Sequence, residues 1–242
     1  MDQSMSQMTP WHVGVLIPAR NEEQLLARSL YSVLQAKNRI ESSATVEIVV
    51  ISDSSVDRTA QIASQILEGQ GIVRAIHAGR VGTARRCAAQ LLLERYSGPL
   101  SRCWLANTDA DCMVPPEWLE AQLALAISGV EAIAGTVDVD HFDEHGPEVR
   151  ARFKSSYRIH DDESHPHVHG ANLGVRADRY LKAGGWETLD TAEDHDLWRR
   201  LELTGTKRHS TSKIGVTTSG RRVGRAPNGF ADALAAHNET AA

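Results

Sequence analysis

Apolar runs at 13–17, 48–51 and 104–106 each stop at a polar stretch. The first two polar stretches lead directly into segments whose apolar residues recur every three or four positions. Val13-Gly14-Val15-Leu16-Ile17 reads as a first central strand, and Pro18 ends it because proline has no N–H to continue a ladder. Asn21 then reads as a helix cap, with Glu22 and Glu23 in the first turn. Leu25, Leu26, Ser29, Leu30 and Val33 form the buried stripe of that helix. Residues 46–51 repeat the strand and 52–59 repeat the polar loop. Ala60, Ile62, Ala63, Ile66 and Leu67 supply the next helical face, which Gly69 and Gly71 terminate. A short strand is predicted at 72–76, a turn at 79–82, a helix from there to Tyr96, and a strand running into Ala106.

The second half is less regular. Residues 130–139 read as a strand pair or one bent strand, whose late alternation from Val137 to Asp140 suggests an edge. A helix is predicted over 150–159, a polar His-rich loop over 161–169 and a short strand over 173–175. A brief helix around Tyr180 and Leu181 ends at Gly184-Gly185. An amphipathic helix follows over 191–203, then a last strand over 213–218. The segment from Ser219 is basic and irregular, and 226–242 reads as a tail or short helix. Residues 1–10 read as a flexible arm. Repeated strand–loop–helix units predict an α/β fold with a mostly parallel central sheet and helices on both faces.

Composition changes this picture little. The chain has 242 residues, room for one large α/β domain, and a formal charge of −5, which gives no basis for nucleic-acid binding. Three cysteines form neither a paired framework nor a CxxC set. No signal-like leader and no apolar run long enough to span a bilayer is present, so a cytoplasmic protein, with peripheral membrane contact left open, is the expectation.

The candidate chemistry lies where strands end. Asp109 and Asp111 follow the apolar run at 104–106 and are two apart, so in extended backbone they point the same way. They can share a cation, or divide a cation and a sugar hydroxyl between them; the competing reading is an Asp turn bonding its own backbone. Pro18, Ala19, Arg20 and Glu22 leave the first strand, and Asp53 the second, at the sheet edge where open α/β folds bind ligands. Asp53 suits a donor group on a nucleobase, and Asp57 a helix cap. Arg85, or its neighbour Arg86, can meet a phosphate bidentately. Glu193 and Asp194 open the amphipathic helix. They either complement its dipole or serve an attacking hydroxyl, with Asp194 as base and Glu193 fixing the acceptor. His165, His167 and His169 alternate, which suits zinc or an ordinary polar lining. His209 either returns to the aspartates as a third metal ligand or caps a helix end. The first strand–helix turn lacks GxGxxG, which argues against a dinucleotide dehydrogenase.

Taken together, IPARNEE (17–23), SDSSVDRTA (52–60), NTDADC (107–112), HGANLGVRADRYLKAGGW (169–186) and AEDHDLWRRL (192–201) resemble the family 2 glycosyltransferases with the GT-A fold. The resemblance runs from Val13 to Arg225. It implies one GT-A-like domain over 11–225, with a nucleotide half at 11–111 and an acceptor half at 112–225. It implies that the first two motifs hold the nucleotide, that Asp109 and Asp111 hold Mn2+ or Mg2+, and that Asp194 is the base. The segment from Gly170 to Gly185 would line the acceptor, with His169, Gly170, Ala171, Asn172, Trp186 and Glu193 as contacts. The donor would be a nucleotide sugar, UDP-sugar favoured and GDP-sugar an option. The acceptor would be a small-molecule or lipid-linked hydroxyl. The resemblance implies inversion of the anomeric configuration, and the QxxRW segment of processive synthases is absent after Asp194, which points to transfer of a single sugar, a hexose by preference. The basic loop at 219–225 would fold over the diphosphate, with Arg222 or Arg225 in contact. A non-catalytic nucleotide-sugar binder and a nucleotidyltransferase are the alternatives. Nothing in the sequence sets the oligomeric state.

Overall fold

The computed structural model describes residues 10–225 and 229–238. Apart from Pro10, the arm expected over 1–10 lies outside the described residues, as do 226–228 and 239–242 of the tail. Among the described residues, seven strands form one sheet in the order β3-β2-β1-β4-β6-β5-β7. The strands are β1 (Trp11–Ala19), β2 (Ala44–Asp53), β3 (Gly71–Ile76), β4 (Cys103–Asn107), β5 (Ala132–Val139), β6 (Leu173–Arg176) and β7 (Arg208–Thr218). All neighbours are parallel except β6, which runs antiparallel to both β4 and β5.

The strands alternate between two cores, because successive side chains leave a strand on opposite faces. Val13, Val15, Ile17, Trp104 and Ala106 point to one face. There they meet α1 (Leu26–Ile40), α2 (Thr59–Leu67) and α4 (Trp118–Ile127). Leu16, Val49, Ile51 and Leu105 point to the other, against α3 (Val81–Arg95), α6 (Ala177–Lys182) and α7 (Glu193–Leu203). A smaller cluster joins α5 (Val149–Ser156) to α8 (Phe230–Ala236) through Phe153, Leu234 and Phe230. Two buried indoles are paired with amides: Trp104 Nε1 donates to Gln122 at 2.8 Å and Trp118 Nε1 to Asn172 at 2.9 Å. Such pairing removes the cost of burying an unmatched N–H.

Two local expectations change, at the first helix and the last strand, and one left open, at 130–139, is decided. The first helix begins at Leu26, not at Asn21, and has no side-chain cap. Asn21 instead sits at φ +52° and accepts the Val56 N–H at 2.9 Å. The Glu22 N–H donates to Thr59 and the Glu23 N–H to Asp57, so the two polar loops clamp each other. Residues 130–139 give a single strand, β5. Its pairing with β7 shifts register between Gly135 and Thr136. Only its first residues reach β6, so its upper half is paired on one side alone. The last strand is longer than expected and begins at Arg208.

Candidate active site

The carboxyl ends of β1, β2, β4 and β7 lie at one edge of the sheet, and two adjoining crevices open there. The first is lined by Pro18, Ala19, Arg20, Glu22, Asp53, Asp109, Asp111, Arg221 and Arg225, among others. The second is lined by Arg85, Asp109, His169, Gly170, Ala171, Glu193, Asp194 and Phe230, among others. Asp109, Val81, Asp190, Thr218, Gly229 and Phe230 belong to both, so the crevices meet along a common wall.

The Asp109–Asp111 turn is braced from behind. Ser29 Oγ donates to the Asp109 carbonyl at 3.2 Å and Arg28 Nη2 to the Asp111 carbonyl at 3.3 Å. Arg28 also pairs with Asp140 at 2.7 Å. With their main chain pinned, the two side chains are free to face the crevice. Ligand atoms of Asp109, Asp111 and Cys112 lie within 4.8 Å of one another. Burial raises the Cys112 thiol well above its ordinary value, so it stays protonated and is a poor ligand. The two carboxylates offer hard oxygen donors but too few to enclose an ion, which fits a small divalent cation that completes its shell with phosphate oxygens and water.

Arg85 organises the second crevice. Its Nη2 donates to Asp109 at 2.6 Å and its Nη1 faces Glu193 in a short ion pair. The guanidinium lies 5.1 Å from the Trp186 ring centroid. Burial opposes its charge, but Asp109, Glu193 and Asp194 overcome that, and its pKa rises. Gly170 permits this arrangement, since a Cβ there would come within 2.4 Å of the guanidinium. Asp109 is raised by burial and by Asp111 and Glu193, against the pull of Arg85. Asp194 Oδ2 accepts the Gly170 N–H and Oδ1 the His195 N–H, both at 2.8 Å. Each oxygen keeps a lone pair for a ligand.

Basic residues close the first crevice. Arg221 forms a short ion pair with Asp111 and lies 2.8 Å from Glu22, while Arg225 lies 3.8 Å from Glu22. Burial pushes Glu22 up to about 7, with Asp111 adding to the rise and Arg221 and Arg225 opposing it. Asp53 is already engaged by backbone. It accepts N–H groups from Ala78, Gly79 and Arg80 at 2.8–3.0 Å and the Ser54 hydroxyl at 2.9 Å. Gly79, at φ +70°, makes the turn that aims those N–H groups.

Several expected contacts stand elsewhere. Arg85 is 3% exposed and its two amino groups serve acids, so it does not reach a phosphate from its place under the second crevice. Arg222 is exposed and outside both linings; its neighbour Arg221 turns inward instead. Asn172 is a structural residue: Nδ2 donates to the Thr136 and Ile214 carbonyls at 2.9 Å while Oδ1 accepts from Trp118. Trp186 is wholly buried beneath Arg85. His209 is exposed and paired in register with Ile133, low on β7 and away from the aspartates. The alternating histidines do stack, with His165–His167 centroids at 5.9 Å and His167–His169 at 6.1 Å, and Tyr157 lies 4.0 Å from His167. They form no metal-holding cluster among the described residues. Arg221 escaped the sequence reading because three arginines lie within five residues. Gly220, whose N–H donates to Asp140 at 2.9 Å, sets the direction in which the chain leaves β7.

A mostly parallel sheet with paired carboxylates at its strand ends is the GT-A architecture of glycosyltransferases. The chain belongs to glycosyl transferase family 2, whose model matches residues 14–180. Its fold is also that of several solved glycosyltransferases. TarS 1–349 of S. aureus, in complex with UDP-GlcNAc, is 15% identical, with TM-score 0.65 over 90% of this chain and 61% of that one. The mannosyltransferase PcManGT from Pyrobaculum calidifontis, in complex with GDP-Man and Mn2+, is 19% identical, with TM-score 0.60 over 90% and 61%. GalNAc-T7 with UDP, GalNAc and Mn2+ is 18% identical, with TM-score 0.63 over 90% and 46%. The chain thus spans about three-fifths or less of these proteins' lengths, and the likeness at such identities concerns the fold. No curated protein matches the sequence. Among the described residues, no helix is long and apolar enough to cross a membrane.

Proposed function

We infer that this chain transfers a single sugar from a nucleotide-diphosphate donor to an acceptor hydroxyl with inversion, assisted by Mn2+ or Mg2+. The observation that carries this is the common wall between the crevice of Asp109 and Asp111 and the crevice of Asp194. A leaving group and an incoming nucleophile need such opposed, adjoining positions. The nucleoside lies along 18–22 and Asp53, within a donor half at 11–111; residues 112–225 supply the acceptor half. UDP is favoured, with GDP the alternative; Asp53 Oδ2 accepts a single backbone N–H, from Arg80, which supports a role for its remaining lone pair toward a base N–H of either nucleotide.

Asp109 and Asp111 would hold the cation. When bound, it offsets charge on the departing diphosphate. Arg221 and Arg225 add positive charge on the same side. Asp194 accepts the proton of the acceptor hydroxyl as its oxygen bonds to the anomeric carbon. The bond from that carbon to the diphosphate breaks, and its electron pair leaves with the phosphate oxygen. Two backbone N–H groups fix the Asp194 carboxylate before the acceptor arrives. Arg85 holds Asp109 and Glu193 together and so ties the two crevices to one geometry. The three described thiols are unpaired, consistent with a cytoplasmic setting, with membrane contact only if the acceptor is lipid-linked.

A panel of UDP- and GDP-sugars with and without Mn2+, read by thermal shift and by nucleotide release, tests the assignment. Asp194→Asn should keep donor affinity and lower turnover by about a hundredfold or more. No cation-dependent nucleotide binding across the panel would end the proposal. Pyrophosphate release from nucleoside triphosphates would point to nucleotidyl transfer instead.

A further inference from the structure

The acceptor crevice has an unusual charge balance. Among its described lining residues, one arginine, Arg85, stands against four carboxylates, Asp109, Asp190, Glu193 and Asp194. Arg85 is not available to a ligand, since it is buried and both amino groups face carboxylates. The amino end of α7 would ordinarily attract an anion, but Glu193, Asp194 and Asp196 occupy its first turn. His169 is kept neutral near pH 7, burial pushing it down to about 4. His195 stands exposed at the crevice mouth. Facing these groups is an apolar wall of Val137, Val168, Phe230 and Ala233, with the Phe230 ring set edge-on to His169 at 5.9 Å.

Acids with spare lone pairs call for hydroxyl donors. An apolar wall calls for the C–H face of a ring. Arg85 already balances Asp109 and Glu193, and Arg80 pairs with Asp190 at 2.8 Å, which leaves Asp194 as the lining acid outside any ion pair among the described residues. A phosphate would meet that carboxylate with no unengaged arginine or lysine among the described lining residues, and like charges brought together are strongly disfavoured.

We propose that the acceptor is an uncharged polyhydroxy compound, such as a sugar bearing no phosphate or carboxylate, and that this crevice rejects phosphorylated acceptors. This rests on the transferase assignment and narrows it to one substrate class. Asp194 receives the reacting hydroxyl through the lone pair left on each oxygen. The acids at the amino end of α7 exclude anions, and α8 covers the apolar face of the ring.

The test uses the full chain loaded with UDP or GDP and Mn2+. The probes are methyl glycosides of glucose, galactose and mannose, each paired with its 6-phosphate, and binding is read by saturation-transfer NMR and titration. At least one neutral glycoside should bind, about tenfold or more tighter than its phosphate. Ala233→Lys, on the exposed side of α8, should narrow or reverse that preference, with nucleotide affinity reporting that the variant is folded. Tighter binding of the phosphates by the unaltered chain, or no binding by any neutral glycoside, overturns the proposal while nucleotide binding still supports a transferase. Absence of nucleotide binding would bring down both.

Discussion

Glu22→Gln should make the protein more stable at neutral pH and leave it unchanged in acid. Glu22 is 5% exposed, at the turn after β1, and burial lifts its carboxyl from the ordinary 4.5 to about 7. Each unit of displacement is worth about 1.4 kcal/mol, so ionising Glu22 costs the fold about 3 kcal/mol. Below pH 4.5 the group is protonated in both folded and unfolded chains, and the cost is absent. As pH rises toward 7 the unfolded chain releases its proton first, and stability falls until the folded group also ionises. Glutamine keeps the shape and can still accept from Arg221, but it does not titrate. Chemical denaturation of both proteins in chelator, stepped from about pH 4 to pH 8, isolates the effect as the difference between the two curves. That difference should grow by about 3 kcal/mol in favour of the variant, or roughly 5–10 °C in Tm at neutral pH. A difference that stays constant with pH, or a variant that loses ground as pH rises, would refute the reasoning.

Arg85→Met should be among the most damaging substitutions, because it leaves Glu193 and Asp109 without their counter-charge; a loss of about 3–5 kcal/mol in denaturation is expected. Arg221→Ala should weaken UDP or GDP binding by about tenfold, whereas Arg222→Ala should stay within about twofold, as read by calorimetry. Asn172→Ala breaks three hydrogen bonds joining β5, β7 and α4, and should cost about 2–4 kcal/mol of stability. Its effect on acceptor KM should be secondary to that loss.

The strand–loop–helix rhythm was legible because burial on both faces of a central strand demands a continuous apolar run, as at 13–17 and 48–51. Acids and polar loops at the ends of those runs were equally legible, since ligands meet an open α/β sheet at its strand ends. Pro18, Ala19, Arg20, Glu22, Asp53, Asp109 and Asp111 reach the crevices for that reason, and Asp194 reaches them from the first turn of α7. What sequence alone left open was the partner of each polar side chain. Arg85 reads like a phosphate ligand until Glu193, far along the chain, is folded against it. Asn172 reads like an acceptor contact until Thr136, Ile214 and Trp118 claim its amide. Arg221 and Arg222 are indistinguishable as letters, and the turn that Gly220 makes against Asp140 selects the one that faces Asp111. Periodicity and strand-end chemistry are local properties of the chain and were determined by its order of residues. Charge pairing and burial depend on groups brought together from distant positions, so the tertiary structure alone decided them.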